Sequence, residues 1–118
     1  PSHDEVQTDA PVDNQGRGEA FSPTDLVATA LGTCILTTMG IKAREMGVEM
    51  DGATVEVTKE MIADPYRRIH RLPCTVKMPR ALGEKERAVL ERTARTCPVH
   101  RSLDERVERP VVFHWPAD

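Results

Sequence analysis

From Leu26 to Ile41 the chain carries no formal charge, and this run lies between two strong helix signals. Ser22-Pro23-Thr24-Asp25 supplies a side-chain N-cap, a proline at the first helical position and a carboxylate in the first turn. Gly47 suits the left-handed conformation that closes a helix, so the spacing predicts a helix from Pro23 to Met46. Along its centre, Leu26, Val27, Leu31, Cys34, Ile35 and Met39 distribute around the whole circumference rather than along one stripe. A helix of this kind is buried on all sides. Gly32 and Gly40 each cost about 1 kcal/mol of helix propensity relative to Ala. Close approach of another helix, through Ala28 and these glycines, is the expected compensation.

The remaining sequence offers little material to wrap such a helix. Ala53 to Ile62 alternates with the period of a half-buried strand, and Asp64-Pro65-Tyr66 marks a turn. Arg68 to Met78 is extended again, with Leu72, Cys74, Val76 and Met78 on one face, and Pro73 places that strand at an edge or a bulge. Gly83 to Thr96 reads as a charged amphipathic helix, Pro98 opens a short one, and Val111 to Trp115 is a last strand. Ahead of the long helix, residues 1–18 are polar and turn-rich, with Val6 to Thr8 the one short strand candidate. Three strands in 118 residues do not enclose a helix that is apolar all round. The expectation is an α+β domain spanning residues 1–118 whose core is shared between two copies, an intertwined homodimer with paired long helices under sheets from both chains.

Composition narrows the function. Aromatic residues are 3% and net charge is −3, so neither a stacking platform nor a basic footprint for nucleic acid is present. The uncharged run is rich in Thr and Gly and falls short of the roughly 20 apolar residues of a membrane span. No charged and then apolar leader opens the chain, so a soluble, cytoplasmic protein is the default expectation. The first residue is Pro1 rather than Met, which leads to the expectation of further residues upstream.

Three cysteines, Cys34, Cys74 and Cys97, are an odd count for a disulfide framework. Cys97 precedes Pro98 at a predicted helix start, where free N–H groups and the helix dipole lower a thiol pKa. On local sequence Cys97 is therefore the reactive thiol, while Cys34 and Cys74 read as small buried hydrophobes. Cys97-Pro98-Val99-His100 holds two potential metal ligands, but a structural zinc site needs four and no second pair accompanies them. Neither a metal nor another cofactor is expected. The basic cluster Arg67-Arg68-Ile69-His70-Arg71 reads as a solvated, protected sheet edge.

Phe21-Ser22-Pro23-Thr24-Asp25-Leu26, Ala30-Leu31-Gly32-Thr33-Cys34 and Cys97-Pro98-Val99-His100-Arg101-Ser102-Leu103, taken together, resemble the OsmC/Ohr family, the osmotically inducible protein C and organic hydroperoxide resistance proteins. The likeness runs from about Thr8 through Trp115. It implies an OsmC-like fold, an intertwined homodimer with two long central helices wrapped by antiparallel sheets, and a thiol-dependent peroxidase acting on organic hydroperoxides. In that resemblance Cys34 is the peroxidatic cysteine, oxidised to a sulfenic acid, and Cys97 resolves it as a disulfide that a dithiol reduces. The family's peroxidases ionise the attacking thiol with an Arg from an N-terminal hairpin, held by a Glu after the proline that opens the central helix. Here that hairpin would lie upstream of Pro1, and Thr24 follows Pro23. Asp25 or Glu19 is then expected to hold a cation, with Arg17 the nearest arginine. The competing reading is an OsmC-fold protein without peroxidase activity that binds a small apolar ligand or senses thiol oxidation.

Overall fold

The structure, a computed structural model, describes residues 2–117. Its dominant element is α1, Pro23–Met46, and the sequence signals at both ends act as expected. The Ser22 hydroxyl accepts from the Asp25 N–H at 3.1 Å, and the Asp25 carboxylate accepts from the Ser22 N–H at 2.9 Å. This reciprocal box satisfies two donors that the first helical turn leaves free. At the other end Gly47 has φ 70°, and its N–H reaches the carbonyls of Ala43 and Arg44.

Among the described residues five strands form two sheets: β1 (Thr54–Val57), β2 (Glu60–Ala63), β3 (Arg67–Arg71), β4 (Cys74–Lys77) and β5 (Val111–His114). Each long extended stretch expected from the sequence is broken into two strands. The Ala53 to Ile62 stretch breaks at Thr58-Lys59, and the Arg68 to Met78 stretch at Leu72-Pro73. The Thr58 N–H donates to the Pro73 carbonyl at 3.0 Å, so the two breaks face each other and the ribbon bends there as a unit. Beyond the bend, β2 and β3 form an antiparallel hairpin closed by Asp64-Pro65-Tyr66.

Pro73 does not put its strand at an edge. Proline lacks an N–H for the ladder, but here it sits in the break, and β4 begins after it as the central strand of the order β1-β4-β5. Sheet pairing also departs from the all-antiparallel expectation, since β4 and β5 are parallel, Cys74 opposite Val111 and Val76 opposite Phe113. Parallel neighbours need a crossover. The chain between them contains α2 (Glu84–Ala94) and α3 (Pro98–Ser102), both packed on α1. Residues Val6 to Thr8 form no strand, and Val6 is exposed.

Leu31, Ile35 and Met39 of α1 are fully buried against Leu72, Cys74, Val76 and Leu90. The helix is not buried on all sides within one protomer. Thr29, Ala30, Thr33, Thr37 and Ile41 remain exposed along a continuous stripe. By length and mean hydropathy (1.5) α1 would suffice to cross a membrane, yet its other face carries the protomer's core.

Gly32 is explained by a strand rather than by a second helix. A Cβ there would lie 2.9 Å from Val57 Cγ2 and 3.2 Å from Val55 Cγ1, so the missing side chain lets α1 settle on β1. Gly32→Ala is expected to lower Tm in a thermal melt. Overpacking costs about 1–3 kcal/mol, which outweighs the roughly 1 kcal/mol gained in helix propensity.

Candidate functional site

The thiol pair is assembled by α1 and α3. Cys34 lies at the middle of α1, half-buried, with Sγ 3.9 Å from the Thr38 hydroxyl one turn on. Cys97 is the N-cap of α3 and fully buried, its Sγ accepting from the His100 N–H at 3.3 Å. Packing of α3 on α1 sets Cys97 beside Cys34, close enough for each to influence the other's ionisation, and both thiols are free. Arg109 secures the far end of α3, donating to the carbonyls of His100 at 2.7 Å and Leu103 at 3.1 Å.

The two thiols are electrostatically distinct, and in the opposite order from that expected of helix capping. Burial disfavours the Cys34 thiolate, but donors from the Val99 N–H, the Cys97 thiol and the Thr38 hydroxyl outweigh it and bring its pKa below the ordinary thiol value. Burial pushes Cys97 up; the His100 N–H opposes this, and the adjacent Cys34 adds to it. The reason is one of scale. Helix α3 has five residues, too few for a strong dipole, whereas complete burial removes the water that would solvate a Cys97 thiolate. Burial and the Arg109 charge also lower the His100 pKa, so its imidazole contributes no cation at neutral pH.

Cys74 is the core filler that its strand position suggests. Burial, with a smaller contribution from Cys97, pushes its thiol up to about 11, and its Sγ faces the Leu72 carbonyl at 3.3 Å. At about pH 8 only on the order of one Cys74 in a thousand is then thiolate. Iodoacetamide labelling read by peptide mass spectrometry is expected to modify Cys34 first, at a lower pH than an ordinary thiol, and Cys74 not at all in folded protein. Labelling of Cys74 ahead of Cys34 would reverse the assignment.

The supporting residues gather elsewhere. Asp25 holds a cation, and that cation is Lys59 rather than Arg17, with Nζ to Oδ1 at 2.8 Å. Lys59 also donates to the hydroxyls of Thr24 at 2.9 Å and Ser22 at 3.2 Å. Its hydrogen bond, with the Ser22 N–H, holds the Asp25 carboxyl below the usual carboxylate value. Arg17 and Glu19 lie in an exposed loop fastened by their backbone N–H groups to the Asp9 carboxylate, each at 3.1 Å. Neither makes an ion pair among the described residues.

Asp25 and Cys34 are nine positions apart, which is half a turn around α1 and roughly 13.5 Å along it. The Lys59 pair therefore borders a different cavity, of about 370 Å³, between α1 and β1. Sequence reasoning missed Lys59, which sits where the alternation of β1 breaks off. It also missed Thr38, although the one-turn spacing from Cys34 would have exposed it. Among the described residues no cluster of His, Cys, Asp and Glu has the form of a metal site.

Comparison with known proteins agrees with this architecture. No curated protein matches the chain. A structure from Psychrobacter arcticus 273-4, named for osmotic stress induction and a detoxification response, is 49% identical with a TM-score of 0.90, over 96% of this chain and 82% of that one. An organic hydroperoxide resistance protein OsmC from Legionella pneumophila shares the fold at 16% identity and a TM-score of 0.76, over 92% and 80% of the two chains. The organic hydroperoxide resistance protein OhrB of Bacillus subtilis does so at 18% and 0.67, over 80% and 71%. The family model for OsmC-like protein matches residues 16–109, which contain α1, the hairpin and both cysteine motifs, and the chain belongs to that family.

Proposed function

We propose that this chain is a thiol-dependent peroxidase that reduces organic hydroperoxides with Cys34 and Cys97, working as a homodimer. The observation that carries the reading is the pairing of two free thiols with opposed pKa shifts, one favoured as thiolate and the other kept as a donor beside it.

The Cys34 thiolate attacks the outer oxygen of the hydroperoxide. An S–O bond forms, the O–O bond breaks, and the departing alkoxide takes up a proton to leave as the alcohol. Cys34 is then a sulfenic acid. Cys97 gives up its proton and attacks that sulfur, hydroxide leaves and is protonated to water, and the pair becomes a disulfide. An external dithiol reduces the disulfide by two exchange steps and is itself oxidised. Burial of Cys97 suits it to wait as a thiol, since ionisation of the two sulfurs together would place two negative charges in one buried site.

The test is consumption of cumene hydroperoxide in the presence of a dithiol, with the oxidised protein checked for a Cys34–Cys97 disulfide by peptide mass spectrometry. A second reading, a ligand-binding or thiol-sensing protein of the same fold, is favoured by one feature: only neutral donors support Cys34, and Lys59 lies around the helix from it. That reading predicts oxidation of the pair without catalytic turnover.

A further inference from the structure

Helix α3 carries Cys97 as its N-cap and, in its first turn, the Val99 N–H that supports Cys34. With five residues it cannot hold its place alone, since isolated helices shorter than about 12 residues are marginal in water. Inside the segment the Arg101 N–H donates to the Cys97 carbonyl at 3.0 Å and the Ser102 hydroxyl to the Pro98 carbonyl at 2.7 Å. These bonds shape α3 but do not fasten it to the rest of the fold. At its start the Cys97 sulfur accepts from the His100 N–H at 3.3 Å, and that sulfur is the atom the resolving step uses. Once bonded to Cys34 it is a weak acceptor. The cap therefore loosens while α3 still has to keep the two sulfurs together.

The other end is tied by Arg109. Its guanidinium donates to the His100 carbonyl at 2.7 Å and the Leu103 carbonyl at 3.1 Å, acceptors that a helix end leaves unpaired. No ion pair involves Arg109 among the described residues, so its donors serve α3 rather than a carboxylate. Its own backbone is anchored on both sides. The Glu108 N–H donates to the His70 carbonyl at 3.0 Å, the Leu72 N–H to the Glu108 carbonyl at 2.8 Å and the Cys74 N–H to the Pro110 carbonyl at 2.8 Å. Val99 and Leu103 also pack on the core, but apolar burial is non-directional and does not fix where a sulfur points. Arg109 supplies the directional tie between the sheets and the helix that carries Cys97.

We propose that Arg109 is a positioning residue for disulfide formation: by holding the His100 and Leu103 carbonyls to the anchored segment 108–110, it keeps the Cys97 sulfur aligned for attack on oxidised Cys34. It touches neither sulfur. The proposal takes its place in the cycle from the peroxidase reading, and the bond changes are those given for it. The S–S bond forms, the S–O bond of the sulfenic acid breaks, and the hydroxide leaves as water with the proton that Cys97 gave up.

The test compares the full chain with Arg109→Gln and Arg109→Lys, each below its own melting transition. Cys34 is oxidised with one equivalent of cumene hydroperoxide, and loss of its sulfenic acid is followed by timed dimedone trapping and peptide mass spectrometry. Arg109→Gln is expected to slow disulfide formation about tenfold, because small misplacements of reacting groups cost up to about a hundredfold, and to leave the size of the alcohol burst unchanged. Arg109→Lys keeps a cation but not the fork of donors, and is expected to be about threefold slower than the unaltered chain. In Arg109→Gln the pH profile of Cys34 alkylation is expected to move toward that of an ordinary thiol, because the Val99 N–H moves with α3. A change in stability alone leaves that profile where it is. Disulfide formation at the unaltered rate in folded Arg109→Gln would overturn the proposal, as would a lower Tm with rate and profile both unchanged. Should Arg109→Gln fail to fold, Arg109→Lys decides, and a rate equal to that of the unaltered chain overturns the proposal. Absence of turnover on cumene hydroperoxide would instead remove the peroxidase reading; oxidation with excess hydrogen peroxide then starts disulfide formation and reads the effect of Arg109 in the same way.

Discussion

Cys34→Ser is expected to abolish hydroperoxide turnover, lowering kcat/KM by at least about a thousandfold, while Cys97→Ser spares the first chemical step and stops the cycle after it. A serine hydroxyl has the size of the thiol but is neither ionised near neutral pH nor reactive toward an O–O bond. The Thr38 and Val99 donors that favour a thiolate then have nothing to act on. In Cys97→Ser the attacking thiolate remains, so one equivalent of alcohol per chain is expected in a burst, with a sulfenic acid at Cys34 that dimedone traps. If the labels are reversed, with the trapped sulfenic acid on Cys97 in Cys34→Ser protein, the order assigned by the electrostatics is wrong. A Cys74→Ser control is expected to leave the burst intact, because that thiol faces the core and its pKa is near 11.

Helix α1 was readable to the residue because all its determinants are local: Ser22, Pro23 and Asp25 act within one turn, and Gly47 acts on the turn before it. The same locality explains what was missed. Pro73 by local rule belongs at an edge or a bulge, and it falls in the break before β4, which is central because a chain segment more than thirty residues later returns beside it as β5. The cysteine motifs named two thiols whose elements, α1 and α3, pack together, whereas the order of reactivity expected of them came from the family likeness and not from capping. Cap geometry is visible in Cys97-Pro98, but the Val99 N–H that supports Cys34 arrives through the packing of α3 on α1. Lys59 was invisible for the same reason: nothing near it in sequence names Asp25 as its partner.

On the proposed homodimer, Thr37→Arg is expected to convert dimer to monomer, raising the dissociation constant by at least about a thousandfold. Thr37 lies in the exposed stripe with Thr29, Ala30, Thr33 and Ile41, on a helix without charge from Leu26 to Ile41. In an isolated protomer this substitution is benign. Thr37 is exposed there, and Arg is the better helix former by a few tenths of a kcal/mol, so a native monomer would melt at the same temperature or slightly higher. In a homodimer that buries the stripe the sign reverses. Two-fold symmetry introduces the guanidinium twice, and an unpaired buried charge costs several kcal/mol at each copy. Light scattering coupled to size-exclusion chromatography, together with a melt, reads both quantities. A dimer that tolerates Thr37→Arg with unchanged mass and Tm would mean that the paired-helix interface is elsewhere, and the uncharged face of α1 would then be without its physical reason.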